Sequence, residues 1–164
     1  MRTLRRALLL LSCGLIVGCS APASETLSAA REAEIAATLL SITETYNAVW
    51  EELDLDKISN FHADDFTYYR RGVVDSASQT DFLRAYHDNV ATQITGYWAT
   101  PSETRVRVLG LNAGLVAFVF RGGVELPDGS KVGYDGALTY VFERRNEEWK
   151  IVHIHESEYR PGAA

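Results

Sequence analysis

Two histidines near the end of the chain have the clearest chemical potential. His153 and His155 are separated by one residue in the segment Trp149–Ser157, which is predicted to form a β-strand. Because side chains alternate between the two faces of a strand, both imidazoles share one face with Trp149 and Ile151. Imidazole titrates near neutral pH, so both histidines are candidate general acid–base catalysts. The alternative is that they are packed histidines hydrogen-bonded to neighbouring strands.

A His-x-His pair is also part of a possible metal site. Zinc would need a third ligand such as His62, His87 or Asp64. Nothing in the sequence places one of these side chains beside the pair. We therefore predict no metal site, and the chemistry considered below requires no cofactor.

Arg70 lies in a second predicted strand, Phe66–Arg71, and is informative if its side chain faces an apolar cavity. An inward guanidinium needs a carboxylate, which comes either from the protein or from a ligand. Arg70 therefore suggests a small anionic ligand. Two alternatives stay open: Arg70 forms a solvated strand end, or Asp64 or Asp65 pairs with it.

These side chains are positioned by elements typical of an α+β domain. Apolar residues that recur every three or four positions from Ile35 to Leu53 predict a long helix. Asp54 is the predicted N-cap of a short second helix, and Thr80 that of a third. Four later segments are predicted strands: Thr104–Leu109, Leu115–Leu126, Lys131–Glu143 and Trp149–Ser157. Short turns make them antiparallel neighbours, with the helices packed on one face of a curved sheet.

The first residues have the layout of a secretory signal peptide. Three arginines precede the apolar run Ala7–Val17, which is shorter than the roughly 20 residues of a transmembrane helix. Leu15–Ser20 resembles the bacterial lipobox, whose cysteine, here Cys19, receives lipid after cleavage. We expect a leader over residues 1–18, a tether over 19–26, one domain over 27–160, and anchoring on the periplasmic side of the outer membrane. An ordinary signal peptide with a chance cysteine is the alternative.

The composition excludes several functional classes. The chain has 164 residues, 46% hydrophobic and 23% charged, which fits one globular domain with its own core. Its formal net charge of −6 gives no basic face for nucleic acid. The leader holds three arginines, no acidic residue and Cys13, so its removal changes the net charge to −9. With Cys19 acylated, the folded domain has no thiol, which excludes disulfides, cysteine nucleophiles and cysteine-based metal sites.

In this order of elements the chain resembles the nuclear transport factor 2-like superfamily, in its SnoaL-like branch. The segments that carry the resemblance are Tyr46–Trp50, Phe61–Phe66 and Trp149–Ser157. The Trp-x-x-x-His-x-His-x-Ser pattern of the last segment is typical of a branch that includes the association domain of calcium/calmodulin-dependent kinase. The resemblance implies a cone-shaped α+β fold, in which a curved antiparallel or mixed sheet wraps around a long N-terminal helix and two shorter helices.

The resemblance also implies a small-molecule pocket between the concave sheet face and the long helix. Its candidate ligand-binding residues are Trp50, Tyr68, Arg70, Trp98, Tyr140 and Trp149. Its candidate catalytic residues are His153, His155 and Tyr46. Tyr46 occupies the position of the oxyanion-hole tyrosine of ketosteroid isomerases, although a core tyrosine is the alternative. Arg70, and Thr139 or Tyr140, stand where those enzymes carry acids, which argues against isomerase chemistry.

Three functions are compatible with this pocket and this fold. The first is a lipid-anchored binding or accessory protein that holds a small aromatic or anionic molecule. The second is a cofactor-independent lyase, isomerase or cyclase in which a histidine removes a proton. The third is an oligomerisation module, since members of the superfamily dimerise through the outer sheet face. We expect a homodimer that contacts the membrane only through its lipid, and the sequence leaves open whether it is an enzyme.

Overall fold

The computed structural model describes residues 27–159, apart from the side chain of Val74. The predicted signal peptide, the predicted tether with Cys19, and the last five residues lie outside the described residues. Within residues 27–159, no helix is both long and apolar enough to cross a membrane.

Two helices come first, two strands and a third helix follow, and four long strands end the described chain. The helices are α1 (Ala29–Glu52), α2 (Leu55–Ser59) and α3 (Gln79–Tyr86), and α3 continues as a π-helical segment, His87–Ala91. The strands are β1 (His62–Arg70), β2 (Val73–Ser76), β3 (Gly96–Gly110), β4 (Ala113–Glu125), β5 (Lys131–Arg145) and β6 (Glu148–Tyr159). The short edge strand β2 has no counterpart in the sequence prediction, because four residues are too few to show a pattern.

Side-chain caps fix where the shorter helices begin. The Asp54 carboxylate accepts the backbone N–H of Lys57 at 3.0 Å, which confirms Asp54 as the N-cap of α2. The prediction of Thr80 as the cap of α3 is wrong. Ser78, in an extended backbone conformation, accepts the N–H of Asp81 at 3.1 Å. Thr80 lies inside the first turn, where the backbone is already helical.

The six strands form one mixed sheet in the order β2-β1-β6-β5-β4-β3. β1 and β6 are parallel, and every other pair is antiparallel. The apolar stripe of α1 packs on the inner face of this sheet, where Leu39, Phe142 and Ile151 have no exposed surface. Each such side chain contributes about 1.5–3 kcal/mol by leaving water. The α+β fold with a long N-terminal helix and a curved mixed sheet is thereby confirmed.

β6 is irregular at one point that matters for the site. Consecutive residues of β5 pair with Ile151 and His153, so Val152 is an extra residue in a β-bulge. Ile151 and Ile154 both face the core, with 0% and 4% exposure. A regular strand would have turned residues three apart to opposite faces. The bulge therefore reverses the face of every side chain after Val152 relative to a regular strand.

Candidate functional site

A cavity of about 590 Å³ lies between the inner face of the sheet, α1 and α3. Aromatic side chains dominate its wall: Tyr46, Trp50, Tyr68, Phe82, Tyr86, Tyr97, Tyr134 and Tyr140. Its charged side chains are Arg70, Arg71, Asp75, Glu156 and Glu158. Volume and lining are those of a site for a small organic molecule.

Five of the nine predicted site residues line this cavity. They are Tyr46, Trp50, Tyr68, Arg70 and Tyr140. Trp149 packs against the hydrophobic core and is not part of the cavity wall. Ligand binding by the residues that do line the cavity stays a prediction.

The prediction that Trp98 contributes to the pocket is wrong, because Trp98 faces the other side of β3. Its neighbour Tyr97 lines the cavity instead, since adjacent strand residues point to opposite faces. The Trp98 ring lies over two glycines, Gly123 and Gly133. A Cβ atom at position 123 would come within 3.0 Å of the ring and closer still to the carbonyl oxygen of Val132. Only glycine lets the tryptophan lie this close to β4.

The prediction that His153 and His155 act in the pocket is wrong. Both lie after the bulge, on the outer face of the sheet. His155 is exposed, and His153 Nδ1 shares a hydrogen bond of 2.8 Å with the hydroxyl of Thr67. Partial burial lowers the pKa of His153, with a smaller contribution from His155. Neither imidazole contacts the cavity, so neither can transfer a proton to a molecule inside it.

A different histidine, His62, is buried behind the cavity wall. Its Nε2 lies 2.8 Å from the hydroxyl oxygen of Tyr46, and its ring stacks on Phe66 with 4.0 Å between centroids. Burial lowers the pKa of His62 to about 3, so the ring is neutral at physiological pH. Its Nδ1 has no hydrogen-bond partner among residues 27–159. A buried N–H without a partner is rare, which favours the tautomer in which Nε2 donates to Tyr46.

Arg70 faces the cavity, but its charge is already compensated by the protein. Its guanidinium lies 3.1 Å from the carboxylate of Asp75 and 3.6 Å from that of Glu158. Neither of the partners considered from sequence, Asp64 and Asp65, fills this role. Arg70 therefore gives no reason to expect a carboxylate on the ligand.

Glu156 is a buried acid of the cavity wall, with only 9% of its surface exposed. Its Oε2 accepts a hydrogen bond from the hydroxyl of Tyr68 on β1. Burial raises the pKa of Glu156, while the Tyr68 hydrogen bond lowers it by a smaller amount. Regular alternation assigns Glu156 to the face away from the cavity. No glycine or proline marks the bulge that turns it inward, so this residue could not be found from the sequence.

The tyrosine hydroxyls remain neutral because burial raises their pKa values. Burial raises the pKa of Tyr86 to about 12, and those of Tyr97 and Tyr134 are also raised. Tyr140 donates to the side-chain oxygen of Asn47 at 2.9 Å. By contrast, the Tyr86 hydroxyl is buried without a hydrogen-bond partner among the described residues. Tyr86 was missed in the sequence, where it counts only as an apolar position of α3.

The cavity wall thus carries neutral hydroxyls, two arginines paired with Asp75 and Glu158, and the buried carboxyl group of Glu156, which has no salt-bridge partner among the described residues. Histidine and cysteine are absent from the part of the wall that the structure describes. Within residues 27–159, no three His, Cys, Asp or Glu side chains gather as metal ligands would. The arrangement is equipped to bind a molecule through rings and hydrogen bonds, with Glu156 as the group best placed to bind a cation or exchange a proton.

Solved structures with the same fold come from bacteria and an animal. A protein from Xanthomonas campestris assigned as a calcium/calmodulin-dependent protein kinase II association domain has 21% identity and a TM-score of 0.65, covering 77% of this chain and 88% of its own. The association domain of that kinase from C. elegans has 19% identity and a TM-score of 0.62, covering 77% of this chain and 97% of its own. A protein from Novosphingobium aromaticivorans assigned as a scytalone dehydratase has 9% identity and a TM-score of 0.66, covering 77% and 92%.

None of the curated proteins compared with this chain matches it significantly. The solved structures share too little sequence with it to show more than the fold. A family model of the calcium/calmodulin dependent protein kinase II association domain matches residues 32–160, which is most of the chain and includes nearly all of the long helix and the whole sheet. The chain therefore belongs to the family of calcium/calmodulin-dependent protein kinase II association domains, within the nuclear transport factor 2-like superfamily.

Proposed function

We propose that this domain binds a small, largely apolar organic molecule in the cavity between the helices and the sheet. The observation that carries the proposal is a cavity of about 590 Å³ whose wall includes eight aromatic side chains. Aromatic rings offer large, rigid contact surfaces to a ligand at little cost in side-chain entropy. The histidine-based lyase, isomerase or cyclase considered from the sequence loses its support, since both histidines face away from the cavity.

The hydroxyl of Tyr86 supports a ligand with a hydrogen-bonding group. A buried hydroxyl without a partner costs about 1–3 kcal/mol relative to one that is hydrogen-bonded. A ligand atom that accepts or donates a hydrogen bond at this position would recover part of that cost. The Tyr86 ring also packs edge-on against that of Trp50, with 4.9 Å between centroids, so aromatic carbon surrounds this hydroxyl.

A blocking substitution tests the proposal. Ala85 is an exposed residue of α3 that borders the cavity, so Ala85→Trp places an indole at the opening without replacing a core side chain. We expect native mass spectrometry of the protein from its own host to show a bound small molecule in the wild type and none in Ala85→Trp. Arg84→Trp, at an exposed neighbouring position outside the cavity wall, should keep the ligand. Equal ligand signals from both variants would contradict the proposal.

We also propose that the protein is exported and anchored through lipid on Cys19, on the periplasmic side of the outer membrane. The support is the lipobox-like sequence Leu15–Ser20 behind a basic and apolar leader. Detergent phase partitioning of cell extracts tests this directly. The wild type is expected in the detergent phase and Cys19→Ser in the aqueous phase, and an unchanged distribution would contradict lipidation.

A second candidate function is self-association into a homodimer through the outer face of the sheet. The central strands present an apolar row there: Leu115, Ala117, Val119, Ala137 and Val141. Val119 is 39% exposed on this row. We expect light scattering to give twice the chain mass for the wild type and the mass of one chain for Val119→Lys. Val73→Lys, on the edge strand β2, is the matched control and should remain dimeric.

A further inference from the structure

We propose that the molecule held in the cavity is an organic cation, such as an aromatic amine, whose positive charge is bound by Glu156. This inference rests on the proposed function, since it assigns the charge of the ligand in that same cavity. Glu156 projects from β6 into the cavity with 9% of its surface exposed. One of its oxygens accepts the Tyr68 hydrogen bond, which leaves the other for a ligand.

Glu156 forms no salt bridge among the described residues, although the charges of Arg70 and Arg71 attract its carboxylate from a greater distance. Arg70 contacts Asp75 at 3.1 Å and Glu158 at 3.6 Å. Arg71 donates from Nε to Glu158 at 3.0 Å. Both arginines are thus engaged by the two other acids. The hydrogen-bond partner of Glu156 is a neutral phenol, so the cavity carries one negative charge in excess when Glu156 is ionised.

A buried carboxylate without a cationic partner is unfavourable in an apolar environment. Two events can relieve it: the carboxylate takes up a proton, or a ligand brings a positive charge. A cation that donates a hydrogen bond to Glu156 forms the stronger, charge-assisted type of contact. An anionic ligand would add to the excess negative charge and is disfavoured by the same argument.

The aromatic walls are suited to the same kind of ligand. Trp50 lies at the centre of a ring cluster, with centroids 4.9 Å from Tyr86, 5.9 Å from Tyr97 and 6.0 Å from Phe82. Phe82 is in turn 5.3 Å from Tyr68, whose hydroxyl donates to Glu156. The faces of such rings attract cations, and the rings also bind apolar groups. One wall thus accommodates both the charge and the body of an aromatic amine.

Calorimetric titration with three compounds of similar size tests the inference: phenethylamine, 2-phenylethanol and phenylacetate, which are a cation, a neutral molecule and an anion at pH 7. The wild-type protein is expected to bind the amine at least about ten-fold more tightly than the alcohol, as a charge-assisted hydrogen bond predicts. In Glu156→Gln, which keeps the shape and the acceptor for Tyr68, the ratio should fall to about one. Glu147→Gln makes the same charge change at a turn outside the cavity and should keep the wild-type ratio.

The outcomes separate this inference from the proposed function. If the alcohol or phenylacetate binds as tightly as the amine, and Ala85→Trp abolishes that binding, the charge assignment is overturned while the binding function stands. If none of the three compounds binds saturably while native mass spectrometry still shows a host molecule that Ala85→Trp removes, the cation assignment is overturned and the binding function stands. If Glu156→Gln fails to fold, the amine-to-alcohol ratio of the wild type decides alone: a ratio of about ten or more supports the cation, and a ratio near one overturns it.

Discussion

The buried imidazole of His62 makes a quantitative prediction about stability in acid. Its native pKa is about 3, against 6.5 for an unperturbed histidine. Between these values the unfolded chain binds the proton more strongly than the folded protein does. The free energy of unfolding is therefore unaffected by protonation of His62 above about pH 6.5 and falls as the pH drops below that value. The difference between the two pKa values corresponds to a loss of about 5 kcal/mol in the free energy of unfolding over the full pH range. By pH 5 the loss already amounts to about 2 kcal/mol.

Urea unfolding at pH 7 and pH 5, followed by tryptophan fluorescence, measures this loss. His62→Gln removes the titrating ring and keeps an amide that can hydrogen-bond Tyr46. We expect this variant to be less stable than the wild type at pH 7, but to lose about 2 kcal/mol less between the two pH values. His155→Gln, on the exposed outer face, should retain the wild-type pH dependence. Equal pH dependence for the wild type and His62→Gln would refute the conclusion that His62 is buried and neutral.

Three further predictions follow from a helix cap, a buried hydrogen bond and a buried acid. Ser78→Ala removes the N-cap of α3 and should lower the free energy of unfolding by about 1 kcal/mol, whereas Thr80→Ala should change it little; equal losses in urea unfolding would argue against this cap. Tyr140→Phe leaves Asn47 without its donor and should cost about 1 kcal/mol in the same assay. Burial raises the pKa of Glu156, so its ionisation destabilises the fold as pH rises. Glu156→Gln should therefore raise Tm more at pH 8 than at pH 4, and an equal change at both would contradict its buried ionisation.

Much of the fold could be predicted because its signals are local. The three-and-four spacing from Ile35 to Leu53 results from packing one helix face on the sheet, and that spacing is visible in the sequence alone. The long strands near the C-terminus show alternation over many residues for the same reason. The pairing of β1 with β6 brings together segments about 85 residues apart, which no local pattern reveals.

The site was less predictable because it depends on which face each side chain occupies. Tyr46 and Tyr140 could be placed in the cavity wall, since α1 and β5 are regular at these positions. On β3, Trp98 was predicted to belong to the pocket, but its neighbour Tyr97 lines the cavity instead. The partners of Arg70 were unpredictable for another reason. Asp75 and Glu158 lie on strands whose order in the sheet had to be known before their charges could be placed.

The bulge at Val152 determines which side chains of β6 face the cavity. Deletion of Val152 tests this conclusion. In the observed strand, Ile151, Ile154 and Glu156 face inward. Removing the extra residue would leave a regular alternation with these same side chains inward, so the deletion variant should fold with a loss of about 1–3 kcal/mol. In a strand without a bulge, the same deletion would instead turn every later side chain to the opposite face. Loss of cooperative thermal unfolding in the deletion variant would therefore refute the bulge, and with it the placement of a carboxyl group rather than two imidazoles in the cavity.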